Sequence, residues 1–278
     1  MPSLAVCAAR LARSGGRRAG AAGASIPRIE AYAAFAPDPG RLAAFRGVCG
    51  YGPGEGVPPT WPYAVATPLH LYLVTSPEFP LPALGLVHVR EVIVLCRPIA
   101  AEATLHFRCR VEGQRPHARG VEFDLITEVA TTRGGPTAWR STTTALWRAA
   151  PRAVPLRAEP GGAVVEGVRW RVEEAVGRRY ACVSRNFDPI HMYSMTARLF
   201  GLKRPIAHGM WLLARSLAAL GPGATAPPCR IEARFRSPLF LPGEVVFSER
   251  AGEEGQRRFA VHPARGGRAH LEGEVSRL

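Results

Sequence analysis

From Ile206 to Leu220 almost every position is apolar. Ile206, Met210, Leu213 and Leu217 recur at spacings of three and four, and Ala207, Trp211, Leu212, Ala214 and Leu220 make the other face apolar too. A helix without a polar face cannot lie on a surface, so the rest of the chain has to wrap around it. Upstream, Glu173–Val183 has helical character, Ser184–Pro189 interrupts it, and Met192–Phe200 resumes it until Gly201 stops the helix. The interruption reads Ser184, Arg185, Asn186, Phe187, Asp188, Pro189, Ile190, His191, and Ala207, His208, Gly209 and Met210 follow at the start of the apolar run. Side chains able to move protons are thus concentrated on a loop leading into a buried helix.

The remaining chain supplies the wrapping. Leu86–Cys96, Ala103–Val111, Gly120–Thr131 and Ala138–Trp147 are rich in Val, Ile, Thr, Phe and Trp and partly alternate, as strands do. After the helical material, Cys229–Arg236, Glu244–Arg250, Arg257–Pro263 and Arg268–Ser276 repeat the pattern. In the first half, Leu42, Phe45 and Val48 suggest a short helix, and Pro68–Ser76 a buried helix of two turns. Arg97-Pro98-Ile99 after one strand matches Ser237-Pro238-Leu239 after its counterpart, and Pro68-Leu69-His70 resembles Pro205-Ile206-Ala207-His208. Both matches fall near an offset of 140 residues and indicate an internal duplication. The expected organisation is a basic N-terminal segment at 1–29, a first repeat at 30–150, a Pro/Gly linker at 151–162 and a second repeat at 163–278.

Composition narrows the function classes. The net charge of +14 is almost wholly arginine, with Lys203 the single lysine, and the arginines are scattered through strands and linkers. That distribution argues against nucleic acid, which would need basic clusters interleaved with aromatics on one face. Cys7, Cys49, Cys96, Cys109, Cys182 and Cys229 show no C-x-x-C spacing and read as reduced thiols, which points to the cytoplasm. No apolar run approaches the roughly 20 residues needed to cross a bilayer. Arg10, Arg13, Arg17, Arg18 and Arg28, with no acid before Glu30, are also the composition of a mitochondrial transit peptide or a surface-seeking segment. Gly15, Gly16, Gly20 and Gly23 favour a plain tail.

Several chemistries are disfavoured by spacing. Gly50, Gly52, Gly54 and Gly56 are followed by Pro58 and Pro59 rather than by a helix start, so they form a bend and not a phosphate cradle. His191 and His208 lack a third ligand at metal spacing and no H-E-x-x-H occurs, so no metal is expected. No G-x-S-x-G elbow is present, which argues against a serine hydrolase. His70 and His88 sit among apolar neighbours and read as structural.

The stretch Tyr180–Trp211 resembles the MaoC-like, (R)-specific enoyl-CoA hydratase family, whose signature runs Ser-x-Asp-x-Asn-Pro-x-His and then Ala/Val-His-Gly-Met. Ser184, Pro189, His191, His208, Gly209 and Met210 match it. In the first half, Pro59-Thr60-Trp61-Pro62 and Leu84-Gly85-Leu86-Val87-His88 resemble a degenerate repeat lacking the polar loop, which implies one active site per chain. The resemblance implies an α+β double hotdog, two buried central helices each wrapped by an antiparallel sheet. It also implies reversible hydration of trans-2-enoyl thioesters to (R)-3-hydroxyacyl thioesters in fatty acid or related lipid metabolism, without a cofactor. The thioester would be carried by coenzyme A or acyl carrier protein, and a homodimer is allowed. A noncatalytic acyl-CoA-binding protein and a hotdog thioesterase are the alternatives. By position, Asn186, Asp188, His191 and Gly209 would be catalytic, and Ser184, His208 and Met210 would contact substrate. His191 suits proton transfer because imidazole titrates near neutrality. The loop departs from the signature where Asn186 stands in place of the family's Asp, and Asp188 in place of its Asn. An amide is no base, so Asp188 is the carboxylate expected to work with His191. A degenerate first repeat also leads one to expect an acyl tunnel running from His191 toward Leu69–Val74.

Overall fold

A computed structural model describes residues 25–54, 56–148 and 166–278 of the chain. The expected linker and most of the basic N-terminal segment lie outside the described residues. Ten strands form one antiparallel sheet: β1 (Ile29–Phe35), β2 (Val87–Leu95), β3 (Leu105–His117), β4 (Gly120–Ala130), β5 (Trp139–Arg148), β6 (Val168–Val172), β7 (Cys229–Phe235), β8 (Gly243–Ala251), β9 (Arg257–Pro263) and β10 (Leu271–Arg277). Their order is β1-β3-β4-β5-β2-β7-β10-β9-β8-β6. Each half has the same internal order, first-third-fourth-fifth-second, and the halves join edge to edge where β2 pairs β7 from Arg90↔Arg234 to Leu95↔Cys229. The join covers the inner edges, on β2 and β7, and leaves β1 and β6 as the edge strands of the sheet.

Five helices accompany the sheet: α1 (Pro39–Cys49), α2 (Trp61–Val74), α3 (Val176–Ser184), α4 (Ser194–Leu199) and α5 (Gly209–Leu220). α2 and α5 are the buried central helices of the two halves, and the architecture is a double hotdog. Ala64, Val65, Leu69 and Leu73 of α2 and Leu213, Ala214 and Leu217 of α5 are all within 2% of full burial. Burying a Leu or Val side chain contributes about 1.5–3 kcal/mol, so these two helices anchor the core.

Two expectations are corrected. α2 begins at Trp61 and runs through Pro68, so the helix expected from Pro68 is twice too short. Thr60, Trp61 and Pro62 form its first turn, and Pro62 is tolerated there because its missing N–H has no helical partner anyway. Consequently Pro68-Leu69-His70 lies in mid-helix and is no counterpart of Pro205–His208, which precedes α5. The true register is given by equivalent hydrogen bonds. Val57 N donates to Ile99 O at 2.9 Å, as Ala207 N donates to Leu239 O at 2.8 Å. The bridge Gly56↔Ala100 likewise repeats as Ile206↔Phe240. In this register Pro58 and Pro59 stand where the second half has His208 and Gly209, and Trp61 stands for Trp211. The edge strands β1 and β6 were not anticipated, because short Ala- and Arg-containing runs carry a weak strand signal.

α1, α2 and α3 meet in an aromatic cluster, with Phe45 5.2 Å from Trp61 and 6.1 Å from Tyr180. Beside it, Arg41 Nε donates to Val183 O at 2.6 Å and its NH2 to Ala64 O at 3.2 Å. One guanidinium therefore ties all three helices together. Burial, with Arg185 nearby, lowers its pKa to about 10, which leaves it charged at neutral pH.

Candidate active site

α3 ends at Arg185, the only non-glycine among the described residues with a positive φ, at 60°. A left-handed residue here stops the helix and turns the chain into the polar loop at an expense of order 1 kcal/mol. The loop then builds itself from its own polar side chains. Ser184 Oγ donates to Tyr180 O at 2.8 Å and accepts from Asn186 N at 3.3 Å. Asn186 Oδ1 accepts from Asp188 N at 3.3 Å, and Asp188 Oδ1 accepts from Ile190 N at 3.2 Å. Asp188 thereby caps the short 3-10 turn Pro189–His191, with Pro189 at its first position.

That turn delivers His191 to the start of α5. Its Nδ1 lies 2.8 Å from Ile206 O, a carbonyl, so Nδ1 carries the proton and Nε2 keeps a lone pair. The backbone is wedged against α3, since a Cβ on Gly177 would sit 2.2 Å from His191 O. The imidazole stacks on His208 with centroids 3.7 Å apart and planes 27° apart. His208 donates from Nε2 to Asn186 O at 3.1 Å, and its other nitrogen is buried without a protein partner. Burial lowers the pKa of both rings. For His191 the nearby Asp188 charge and the Ile206 carbonyl oppose the shift, whereas for His208 the neighbouring His191 adds to it. Both imidazoles are therefore neutral at pH 7.

Gly209 opens α5 immediately after His208. The first backbone donor to find a partner inside the helix is Leu212 N, to His208 O at 3.1 Å, so the N–H groups ahead of it lack helical acceptors. A Cβ at Gly209 would come within 2.9 Å of two Phe235 ring atoms, so glycine is what lets β7 approach the helix start. Phe235 in turn packs 4.5 Å from His88 of the first half. His88 Nε2 lies 3.0 Å from the fully buried Glu91, whose Oε2 also accepts from Thr143 Oγ1 at 2.7 Å.

The structure thus brings Ser184, Asn186, Asp188, His191, His208 and Gly209 together at one helix start. Met210 is buried in the core beneath them. His70 Nε2 lies 2.7 Å from Thr127 Oγ1 in the interior and packs on Tyr63 at 5.1 Å. Tyr180, Gly177 and Phe235, which support the site, carried no motif; only the fold shows that they touch it. Leu69, Leu73 and Val74, toward which a tunnel was expected, are buried. Among the described residues, no group of three or more His, Cys, Asp or Glu side chains could hold a metal ion. No helix there is long and apolar enough to cross a membrane.

Two buried central helices wrapped by one ten-stranded antiparallel sheet define the class of double hotdog proteins, and comparison with known proteins gives the family. Residues 156–267 match the MaoC like domain family. The chain is 35% identical over 228 residues to 3-hydroxyacyl-thioester dehydratase X of Mycobacterium tuberculosis, covering 78% of each. A crystal structure of HtdX from the same organism superposes with a TM-score of 0.77 at 31% identity, over 90% of this chain and 99% of that one. A double hotdog protein from M. tuberculosis shares the fold alone, at 13% identity and a TM-score of 0.59 over 91% and 95% of the chains. The chain belongs to the MaoC-like dehydratase family.

Proposed function

We propose that the protein interconverts trans-2-enoyl and (R)-3-hydroxyacyl thioesters, with His191 as the proton-transfer group. The observation that carries this reading is the fixed tautomer of His191: Nδ1–H is committed to Ile206 O, and Nε2 is left basic next to the unpaired N–H groups of α5. In hydration, Nε2 takes a proton from water while the water oxygen bonds to C3 of the enoyl group. The C2–C3 π electrons move toward the thioester, whose oxygen gains negative charge. The Gly209 N–H and the positive end of α5 stabilise that oxygen. The imidazolium then returns its proton to C2, so one group serves as base and acid. Asp188 supports the step through its charge, which favours the imidazolium that His191 becomes. His208 holds the His191 ring by stacking and anchors the loop through Asn186 O.

The competing reading, acyl-thioester binding without turnover, rests on Asn186 occupying the position where the family signature has its carboxylate. Incubation with crotonyl-CoA and direct measurement of 3-hydroxybutyryl product decides between them. Turnover that falls about 10²- to 10⁴-fold in His191→Ala, with a smaller loss in Asp188→Asn, is the expected result. Unmodified protein that binds crotonyl-CoA but forms no product would establish the binding-only reading. Expected properties also include a rate that declines toward acid pH, because protonation of the burial-lowered His191 removes the base.

A further inference from the structure

A cavity of about 360 Å3, which His191 does not line, lies between the loop residues Tyr51–Gly54 and Gly56–Pro59, the ends of β2 and α5, and the turn around Pro227. Its size falls in the range of small-molecule pockets, roughly 300–1,000 Å3. Its position is set by the internal repeat. Leu95 at the end of β2 corresponds to Phe235 at the end of β7, and Trp139 beside Leu95 corresponds to Leu271 beside Phe235. Val57 and Ile99 correspond to Ala207 and Leu239 by their shared hydrogen bond. The cavity therefore lies at the first-half counterpart of the α5 start at Gly209.

The two places differ in their chemistry. Where the second half offers His208 and the Gly209 N–H, the first offers Pro58 and Pro59, and a proline has no N–H to donate. The loop from the helix end to that point spans residues 185–205 in the second half but only 50–55 in the first, leaving no place for a counterpart of His191. What persists is an apolar chamber, walled by Val57, Pro59, Leu95, Ile99, Trp139 and Leu217. Its polar groups are largely spent: Trp139 Nε1 donates to Pro59 O at 2.8 Å, and Arg46 donates to Gly52, Gly54 and Gly56 carbonyls. Arg97 also lines it, with its side chain donating to the exposed Pro136 O at 2.5 Å, and no described lining residue is acidic.

We infer that this chamber is a second, noncatalytic site for an aliphatic acyl chain carrying an anionic head, with Arg97 facing the head. The choice of an acyl ligand rests on the function proposed above; the existence of a second apolar site does not. The shared chemistry is met by a fatty acid and by an acyl thioester, and both serve as probes.

Calorimetric titration of the full chain with dodecanoic acid and, separately, with saturated dodecanoyl-CoA counts the sites without turnover. Two chains bound per protein for at least one ligand is the expected result, and the ligand that binds the second site more tightly identifies its source. Ala218→Trp places an indole in the chamber, and Ala226→Trp blocks its exposed rim. Either variant should bind one chain while retaining the turnover of the unmodified protein on crotonyl-CoA. Arg97→Glu should weaken the second site about tenfold or more, because it replaces attraction to the head by repulsion. One chain bound by unmodified protein with both ligands, or two chains retained in a folded Ala226→Trp variant, would overturn the inference. Absence of crotonyl-CoA turnover would instead break the catalytic reading and leave the count of bound chains intact.

Discussion

Substituting Gly209 by alanine tests whether the start of α5 is both a packing joint and an electrostatic one. The added Cβ would lie 2.9 Å from Cδ1 and Cε1 of Phe235. Carbon atoms rest at about 3.5–4.0 Å, so the ring or the helix start has to retreat by roughly 0.6 Å or more. Phe235 cannot simply swing away, because His88 packs on it at 4.5 Å and is itself stacked 5.8 Å from Tyr63. Overpacking of this kind costs about 1–3 kcal/mol. The same retreat moves the Gly209 N–H from the thioester oxygen, and loss of one such donor lowers kcat by about 10²- to 10³-fold. Urea unfolding gives the first quantity and initial rates on crotonyl-CoA the second. Phe235→Leu in the Gly209→Ala background removes the ring atoms in conflict and should recover part of both. Gly209→Ala protein with unchanged urea midpoint and unchanged rate would refute the packing and the donor argument together.

Asn186→Asp restores a carboxylate where the family signature carries one and should raise the hydration rate, measured as 3-hydroxyacyl product; its carboxylate can still accept from Asp188 N, so a lower rate would mean that the second negative charge beside Asp188 disturbs the loop. Stability should fall with acid. Burial lowers the pKa of His70 to about 3, below its unfolded value near 6.5, so the unfolded chain binds the extra proton and folding weakens as pH drops through that window. His70 alone accounts for about 2 kcal/mol between pH 7 and pH 5, and His70→Gln should flatten that part of the urea-midpoint profile. An unchanged profile would place the acid sensitivity in other groups, such as His270, whose pKa burial lowers to about 4.

The central helix of the second half and eight of the ten strands were legible because each rests on a local signal. Ile206–Leu220 is apolar nearly all round, and the strands are runs rich in β-branched and aromatic residues. The polar loop was legible as a motif, but its wiring was not. That Asp188 caps Ile190 and that Asn186 supports Asp188 follow from backbone geometry that the sequence does not display. Gly177 carries no local signal; glycine is required there because a Cβ would lie 2.2 Å from His191 O, a residue 14 positions on. The repeat was detected at the right offset through Pro98 and Pro238, which follow equivalent strands, and was misaligned at His70. A Pro-x-His pattern in mid-helix has no structural counterpart before α5, whereas the equivalent hydrogen bonds make Pro58 the counterpart of His208.

That corrected register says why the molecule keeps two halves for one reaction. α5 can be apolar nearly all round because the sheet wraps it and α1 of the first half covers its flank, where Trp211 Nε1 donates to Val48 O at 2.9 Å; without the first half, β7 would present an open edge and Phe235 would lose His88 as its backing. The first half is therefore needed as structure whether or not it binds anything. Once its sheet and helix were committed to that task, its helix start was free to change. Pro58 and Pro59 add rigidity to a short loop at no loss to the fold, because Trp139 Nε1 bonds the Pro59 carbonyl and Val57 N bonds Ile99 O. The same substitution in the second half would remove the N–H at Gly209 and drive a ring into Phe235. Proline in one half and glycine in the other thus mark which helix start only supports the sheet and which one keeps the N–H groups that the proposed reaction would use.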